Sequence, residues 1–357
     1  MHNSASPDVA AAALGVGAQA RMAVAGAGSI GCYVGGCLAL AGRHVTLLGR
    51  PALMAAVHGA GMRICDLQGG DRRLAASALA ATTDTAAALA AADVIVVTVK
   101  SGATQEMAGL IARHARPGAV VISLQNGIGN VDRLKAQLKH KCTVIGGMVP
   151  FNVVQTREVD GRPRLHRATS GTVLIGAGSA GLRALLDVPG VAVAEHADMQ
   201  GVQWAKLLLN LNNALNALSS LPLVIELSDR RWRRLLAAQI DEALAVLKAS
   251  GIRPAPIERV PPRLIPCILK LPDAVFRLAA RRMLAIDPEA RSSMWEDLER
   301  RRPTEIDYLQ GAIVDLAAKV GVPVPMNARI AGLVREAEAA RGSSPRLTPE
   351  QVAGRGA

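Results

Sequence analysis

Aromatic side chains are nearly missing from this chain: three tryptophans, two tyrosines and two phenylalanines in 357 residues. A surface that grips nucleic acid by stacking bases on aromatic rings is therefore excluded. The core must be built from alanine, valine, leucine and isoleucine. Five cysteines (32, 37, 65, 142 and 267) have neither metal-ligand spacing nor a disulfide framework. They read as buried, reduced thiols, with a cytoplasmic location and no metal site expected. No apolar run of about 18 residues is free of charged and amide groups, so no membrane span is expected. The alanine-rich start lacks a basic residue before Arg21, unlike a secretory signal. Residues 1–21 are expected to be a disordered extension, and the sequence leaves open whether translation starts at Met1 or Met22.

The formal charge is +12. Part of the excess sits in clusters at 230–234 (RRWRR), 281–283 (RRM) and 300–302 (RRR). Cationic faces attract polyanions. Arginines spread among acids, as in WEDLERRRPTEID, read instead as solvated helix faces, and no nucleic-acid partner is expected. A basic surface also draws in anionic substrates and nucleotides.

From Met22 the chain reads strand, turn, helix, and then a second strand, HVTLLG. Further strand-like runs follow at 93–100, 119–127 and 142–149, with helical segments between most of them. Strands alternating with helices predict a parallel, doubly wound α/β sheet. A β-rich stretch over roughly 151–195, including GTVLIGAG, would extend it. Beyond about 196, apolar residues recur at helical spacing in 199–219, 231–249 and 293–320. A proline-rich segment over 253–290 predicts loop plus short helical pieces. The expected organisation is an α/β domain over 22–195, an all-helical domain over 196–340 and a disordered tail over 341–357.

The turn after the first strand, GAGSIG, spans Gly26, Ala27, Gly28, Ser29, Ile30 and Gly31 in the G-x-G-x-x-G pattern. Gly26 permits the tight turn, Gly28 admits a pyrophosphate close to the backbone, and Gly31 lets helix and sheet pack closely. Phosphates would sit on the free N–H groups of the helix start. In an αβ rhythm this marks a Rossmann-type dinucleotide site. The second strand ends LLGRP and has no acid to receive a ribose 2′-hydroxyl. Arg50 stands there, and a guanidinium pairs well with a 2′-phosphate. NADPH/NADP+ is the expected cofactor.

In order along the chain, GAGSIG, VVTVK, SLQNG, WAKLLLN and SSMWEDLERRRPTEIDY resemble the ketopantoate reductase (2-dehydropantoate 2-reductase) family over residues 22 to about 335. The last block is the most specific. The resemblance implies an N-terminal Rossmann domain and a C-terminal helical domain, with the active site in the cleft between them. It also implies reduction of 2-dehydropantoate with NADPH on the route to pantothenate and coenzyme A. By the same resemblance Lys206 is the proton donor, Asn210 and Ser293 bind substrate, and Glu305, twelve residues after Ser293, serves catalysis and the cofactor. Lys100 and Asn126 are implied to contact the cofactor, Asn126 near the nicotinamide. Asn-Gly at 126–127 is also a strong turn dipeptide, and the two roles are compatible. Two departures lie on the substrate side. A second asparagine often found eight residues after the lysine is Ala214 here, and the proline-rich insertion is long.

A helix turns about 100° per residue, which puts Asn210 at about +40° and Asn213 at about −20° from Lys206. Ala214 would lie at about +80°, so Asn213 can stand in for the missing asparagine on the same stripe. Asn212 and Asn216 point elsewhere and read as groups that satisfy nearby backbone or caps. Hydride delivery to a ketone leaves negative charge on oxygen, which an ammonium both stabilises and protonates. Amide side chains hold hydroxyl and carboxylate groups without adding a competing base.

Two other functions stay open on sequence. One is the same chemistry on a different small 2-keto acid, motivated by Ala214 and the insertion. The other is a non-catalytic NADP(H)-binding sensor that touches a polyanion through its arginines. The Lys206–Ser293–Glu305 set argues against the sensor. A homodimer through the helical domain is compatible with the sequence, though no sharp feature calls for one.

Overall fold

The computed structural model describes residues 17, 19–257, 260–281 and 288–354. The chain divides after Met199 into two compact units. In the first, strands and helices alternate: β1 (Met22–Ala25), α1 (Ser29–Leu40), β2 (Val45–Leu48) and α2 (Pro51–Ala60) come first. They are followed by β3 (Met62–Cys65), β4 (Asp71–Leu74), β5 (Ala80–Thr82), α3 (Thr85–Ala91) and β6 (Val94–Val97). Next come α4 (Thr104–His114), β7 (Val120–Ser123), α5 (Asn130–Leu138) and β8 (Thr143–Met148). The unit closes with β9 (Val153–Arg157), β10 (Pro163–Arg167), β11 (Val173–Gly176), α6 (Ala180–Leu186) and β12 (Val193–His196).

The main sheet has eight strands in the order β12-β11-β8-β7-β6-β1-β2-β5. It is parallel throughout except where β11 runs antiparallel to β8. Its central strands are buried on both faces, as a doubly covered parallel sheet requires. The two-residue side-chain period sorts β1 between two cores. Met22 and Val24 join the cluster built on α1, α2 and α6, whereas Ala23 and Ala25 join the one built on α3, α4 and α5.

The 151–195 stretch only partly extends this sheet. β11 and β12 do so, but β9 and β10 enter a separate four-stranded sheet, β4-β3-β10-β9. Its strand β4, DRRL, gives no apolar alternation in sequence, and β3, MRIC, is only four residues long. Arg63 pairs with Asp71 across them and with Glu158, and its buried side is closed by Met62, Ile64 and Leu165 against the α1 face.

The second unit is helical. It contains α7 (Met199–Asn210), α8 (Asn212–Ser219), α9 (Leu223–Ser228), α10 (Arg230–Ala249), α11 (Ile265–Leu269) and α12 (Asp273–Ala279). Then follow α13 (Ser293–Glu299), α14 (Gln310–Val320), α15 (Pro325–Ala339) and α16 (Pro349–Ala353). The expected helix over 199–219 is interrupted at Leu211, which keeps helical angles while its carbonyl accepts from the Gln310 side chain at 2.9 Å. The expected run over 293–320 is α13, a 3₁₀ turn at Ile306–Tyr308 and α14.

Three expectations need correction. The RRWRR cluster is not a solvated face throughout. Arg233 is fully buried and donates to the carbonyls of Leu227, Ser228, Leu269 and Leu271 and to Asp273. Its guanidinium lies 4.1 Å from the Phe276 ring centroid, so it ties the proline-rich segment to α10. Arg282 and Met283, with the rest of 282–287, lie outside the described residues, as do 1–16, 18 and 355–357 of the expected extension and tail. Cys267 is exposed rather than buried.

The tail over 341–354 is not disordered. Thr348 and Gln351 form a reciprocal capping box at the start of α16, Val352 is fully buried, and the Leu347 N–H donates to the Leu218 carbonyl. Arg329 adds bonds to the carbonyls of Gln351 and Val352. Ending the chain at Ala340 is therefore expected to destabilise it by about 3 kcal/mol, from one buried valine and several lost hydrogen bonds. Urea denaturation of the two forms measures this, and equal midpoints would mean the tail contributes nothing.

Candidate active site

The first unit gathers its expected residues at the C-terminal ends of four adjacent parallel strands, β2, β1, β6 and β7. In such sheets the ligand crevice lies where connections leave in opposite directions. That condition holds between β1, which leads to β2 on one side, and β6 on the other.

At the glycine turn the N–H groups of Gly26 and Ala27 donate to the Leu48 carbonyl, at 3.1 and 2.9 Å. Gly26 has φ +104°, and a Cβ there would lie 2.5 Å from the Val99 nitrogen. A Cβ on Gly31 would meet Thr98 Oγ1 at 2.6 Å and the Gly26 carbonyl at 2.7 Å. Gly28 differs: a Cβ there would have only the Gly26 oxygen, at 3.9 Å, for a neighbour. The backbone thus opens outward at Gly28, which is also the N-cap of α1 and supplies no side-chain cap. Uncapped N–H groups facing an open cradle fit an anionic phosphate. Ala27 is buried under the turn, Ser29 is half-buried, and Ile30 packs against the core.

Arg50 is the exposed N-cap residue of α2, at the end of β2. A second guanidinium, which the sequence did not single out, comes from Arg157 of β9 and reaches the Ala52 carbonyl at 3.4 Å. Lys100 is exposed at the turn after β6, and Asn126 is exposed after β7. A buried polar network staples these two turns together. Ser101 Oγ donates to the Asn126 carbonyl at 2.7 Å, Asn130 Nδ2 donates to the same carbonyl and to Ser101 Oγ, and Gln125 Nε2 donates to the Val99 carbonyl and Thr104 Oγ1. Asn126 therefore fulfils a turn role through its backbone and leaves its side chain at the surface. Gln125 sits in the quoted SLQNG run, but Ser101, Thr104 and Asn130 are ordinary polar residues in sequence, and only the fold reveals their burial.

The second unit gathers the rest. Lys206 is half-buried on α7, flanked by the fully packed Leu207 and Leu208. Burial lowers its pKa from 10.5 to about 8. Asn210, one turn on, is buried, and Asn213 on α8 is half-buried. Ser293 opens α13, whose N-cap Ser292 accepts from the Trp295 N–H and donates to the Asn213 carbonyl at 3.0 Å. Ser293 and Asn213 are thereby held close. Glu305 is half-buried ahead of the 3₁₀ turn that leads into α14, and Gln310 ties that segment to Leu211, between Asn210 and Asn213.

Asn212 and Asn216 do more than satisfy backbone. Both donate to Glu226, a fully buried carboxylate that also accepts from Ser219. Glu226 was not singled out in the sequence, because an acid within LPLVIEL reads as the polar face of a short helix. Ala214 is fully buried, so the substitution at that position faces the core. Among the described residues no group of three or more histidine, cysteine, aspartate or glutamate side chains is arranged to hold a metal ion. No described helix is long and apolar enough to cross a membrane.

The sequence signature described as Ketopantoate reductase PanE/ApbA matches residues 22–180, and that of Ketopantoate reductase PanE/ApbA C terminal matches residues 198–338. The chain is 30% identical to the 2-dehydropantoate 2-reductase of Halobacterium salinarum, over 89% of this chain and 99% of that one. The crystal structure of a PanE/ApbA family ketopantoate reductase from Ralstonia eutropha JMP134 superimposes with a TM-score of 0.74 at 30% identity, covering 90% of this chain and 99% of that chain. D-mandelate dehydrogenase in a ternary structure with NADH and anilino(oxo)acetate shares the fold, with a TM-score of 0.70, 19% identity and coverage of 90% and 99%. With signatures matching both units and a 30%-identical relative aligned along almost its whole length, the chain belongs to the ketopantoate reductase PanE/ApbA family.

Proposed function

We propose that the protein is an NADPH-dependent 2-dehydropantoate 2-reductase, which reduces the C2 ketone of 2-dehydropantoate to (R)-pantoate on the route to pantothenate and coenzyme A. The observation that carries this reading is the state of Lys206. An ammonium whose pKa burial has lowered to about 8 is largely protonated at neutral pH and gives up its proton readily.

Bound NADPH supplies the hydride. The residues that would hold it are the Gly26–Gly31 turn, Arg50, Lys100 and Asn126, with Glu305 as a further contact. Arg50 at a strand end without an acid favours a 2′-phosphate, and the nearby Arg157 adds to the positive charge there. Lys206 stabilises the charge that develops on the ketone oxygen and then protonates it, so that the C=O double bond becomes a C–H and an O–H. Asn210 and Asn213 hold the substrate's hydroxyl and carboxylate, Ser293 donates to the carboxylate, and Glu305 orients Lys206 and accepts from the substrate hydroxyl.

A second acid is worth testing because Ala214 is buried and substrate contact on that stripe passes to Asn213. A shared fold does not fix the substrate, as D-mandelate dehydrogenase illustrates. NADPH oxidation assayed with 2-dehydropantoate, 2-oxoisovalerate and oxaloacetate is expected to favour the first by about tenfold or more in kcat/KM, as a site built to hydrogen-bond a substrate hydroxyl discriminates. A preference for an acid without the 4-hydroxyl would instead select the second reading.

Lys206→Ala is expected to lower kcat by about a thousandfold, in the range of a lost general acid, with NADPH affinity by fluorescence titration within about twofold of wild type. Near-normal turnover would exclude the assigned role. In the wild type, the reductive rate is expected to fall as pH rises through about 8, when Lys206 loses its proton, while pantoate oxidation rises over the same range. Arg50→Ala is expected to raise the KM for NADPH about tenfold, the loss of one charge-assisted contact, and to leave that for NADH unchanged. Equal effects on both coenzymes would refute the 2′-phosphate assignment.

A further inference from the structure

Glu226 is a buried acid that the proposed reaction does not use. It is fully buried, yet among the described residues no cationic side chain pairs with it. Its Oε1 accepts from Asn212 Nδ2 at 2.9 Å, and its Oε2 accepts from Asn216 Nδ2 at 3.1 Å and from Ser219 Oγ at 2.7 Å. Burial raises its pKa to about 7, against the opposing pull of these three donors. A well-packed apolar residue would ordinarily be at least as stabilising as an unpaired buried carboxylate. Its value is therefore sought in what it positions.

All three donors lie on α8, and one of them leads onward. The Asn216 amide presents its nitrogen to Glu226 Oε2. The same nitrogen also donates to the Leu221 carbonyl at 2.8 Å. The amide oxygen is thereby aimed the other way, where it accepts from the Ser292 N–H at 2.7 Å. Ser292 in turn bonds the Asn213 carbonyl and caps α13, whose first residue is Ser293. A chain of hydrogen bonds thus runs from the Glu226 carboxylate through Asn216 and Ser292 to Asn213, and Ser293 is the covalent neighbour of Ser292. Two further bonds hold the same segment against the end of α8: Trp295 Nε1 to Ser220 Oγ at 2.9 Å, and the Leu223 N–H to the Ala290 carbonyl at 2.9 Å.

We propose that Glu226 is a positioning residue for the keto acid site, fixing the orientation of Asn216 and through it the placement of Asn213 and Ser293. The proposal rests on the reductase reading, in which those two residues hold the substrate. Glu226 touches neither substrate nor cofactor. Its removal shifts the substrate side of the reaction and leaves the glycine turn, in the other unit, undisturbed.

The test compares Glu226→Leu, Glu226→Gln and Glu226→Asp in the full chain, with the wild type measured alongside. Glu226→Leu, which removes every acceptor, is expected to raise the KM for 2-dehydropantoate about tenfold or more, with NADPH affinity within about twofold of wild type. Glu226→Gln keeps an acceptor for Asn216 and Ser219 if the half-buried Asn212 amide turns over, and is expected to restore KM to near the wild-type value. Should the leucine variant fail to fold, Glu226→Asp keeps the charge but withdraws the oxygens by one bond, and is expected to raise KM several-fold. A merely structural role predicts a lower melting temperature with unchanged KM in the folded fraction, and that result would overturn the proposal. Wild-type protein that fails to reduce 2-dehydropantoate would remove the reductase reading and this proposal together. Normal wild-type turnover with unshifted variants removes the positioning role alone.

Discussion

The proposed chemistry depends on the desolvation of one ammonium, that of Lys206. Lys206 lies on α7 beside the packed Leu207 and Leu208, and burial lowers its pKa. The sign of the effect matters. A lysine whose folded pKa falls below its unfolded value holds fewer protons when folded, so the fold carries the full penalty below about pH 8 and sheds it between about 8 and 10.5. At neutral pH the protein is less stable for having Lys206 where it is, which is how groups with a chemical task commonly behave.

Buried polar networks likewise lie behind the other candidate positions. In the first unit, Ser101, Gln125 and Asn130 bind the turns that present Lys100 and Asn126 at neighbouring strand ends. In the second, Glu226, Asn216 and Ser292 bind the elements that present Asn213 and Ser293. Each network combines side chain to side chain bonds with side chain to backbone bonds that anchor it to the main chain.

Much of this was legible in the sequence, for physical reasons that differ by element. The glycine turn was legible because only glycine tolerates φ +104° at Gly26 and the close approach at Gly31. The central strands were legible because double burial writes a continuous apolar run, as in VIVV and VVIS. The small second sheet was not, since β4 reads DRRL, with one apolar residue in four, and its Asp71 pairs with Arg63 across the strands. The break at Leu211 was hidden because its cause, Gln310, lies far along the chain. The tail read as frayed from its glycine, serine and proline content, whereas its order comes from Val352 and from contacts with distant residues. Among the candidate site residues, Lys206 and Asn210 were suggested by the family resemblance and Asn213 by its helical spacing from Lys206. Glu226 was not, since an acid in a short amphipathic run carries no mark of burial.

The most direct measurement of the central claim is the titration of the Lys206 amine itself, followed by NMR of the labelled side-chain nitrogen and assigned by its absence from a Lys206→Ala spectrum. A midpoint near 8 is the result required by a desolvated, proton-donating lysine. A midpoint near the ordinary 10.5 would show a solvated side chain and contradict the account.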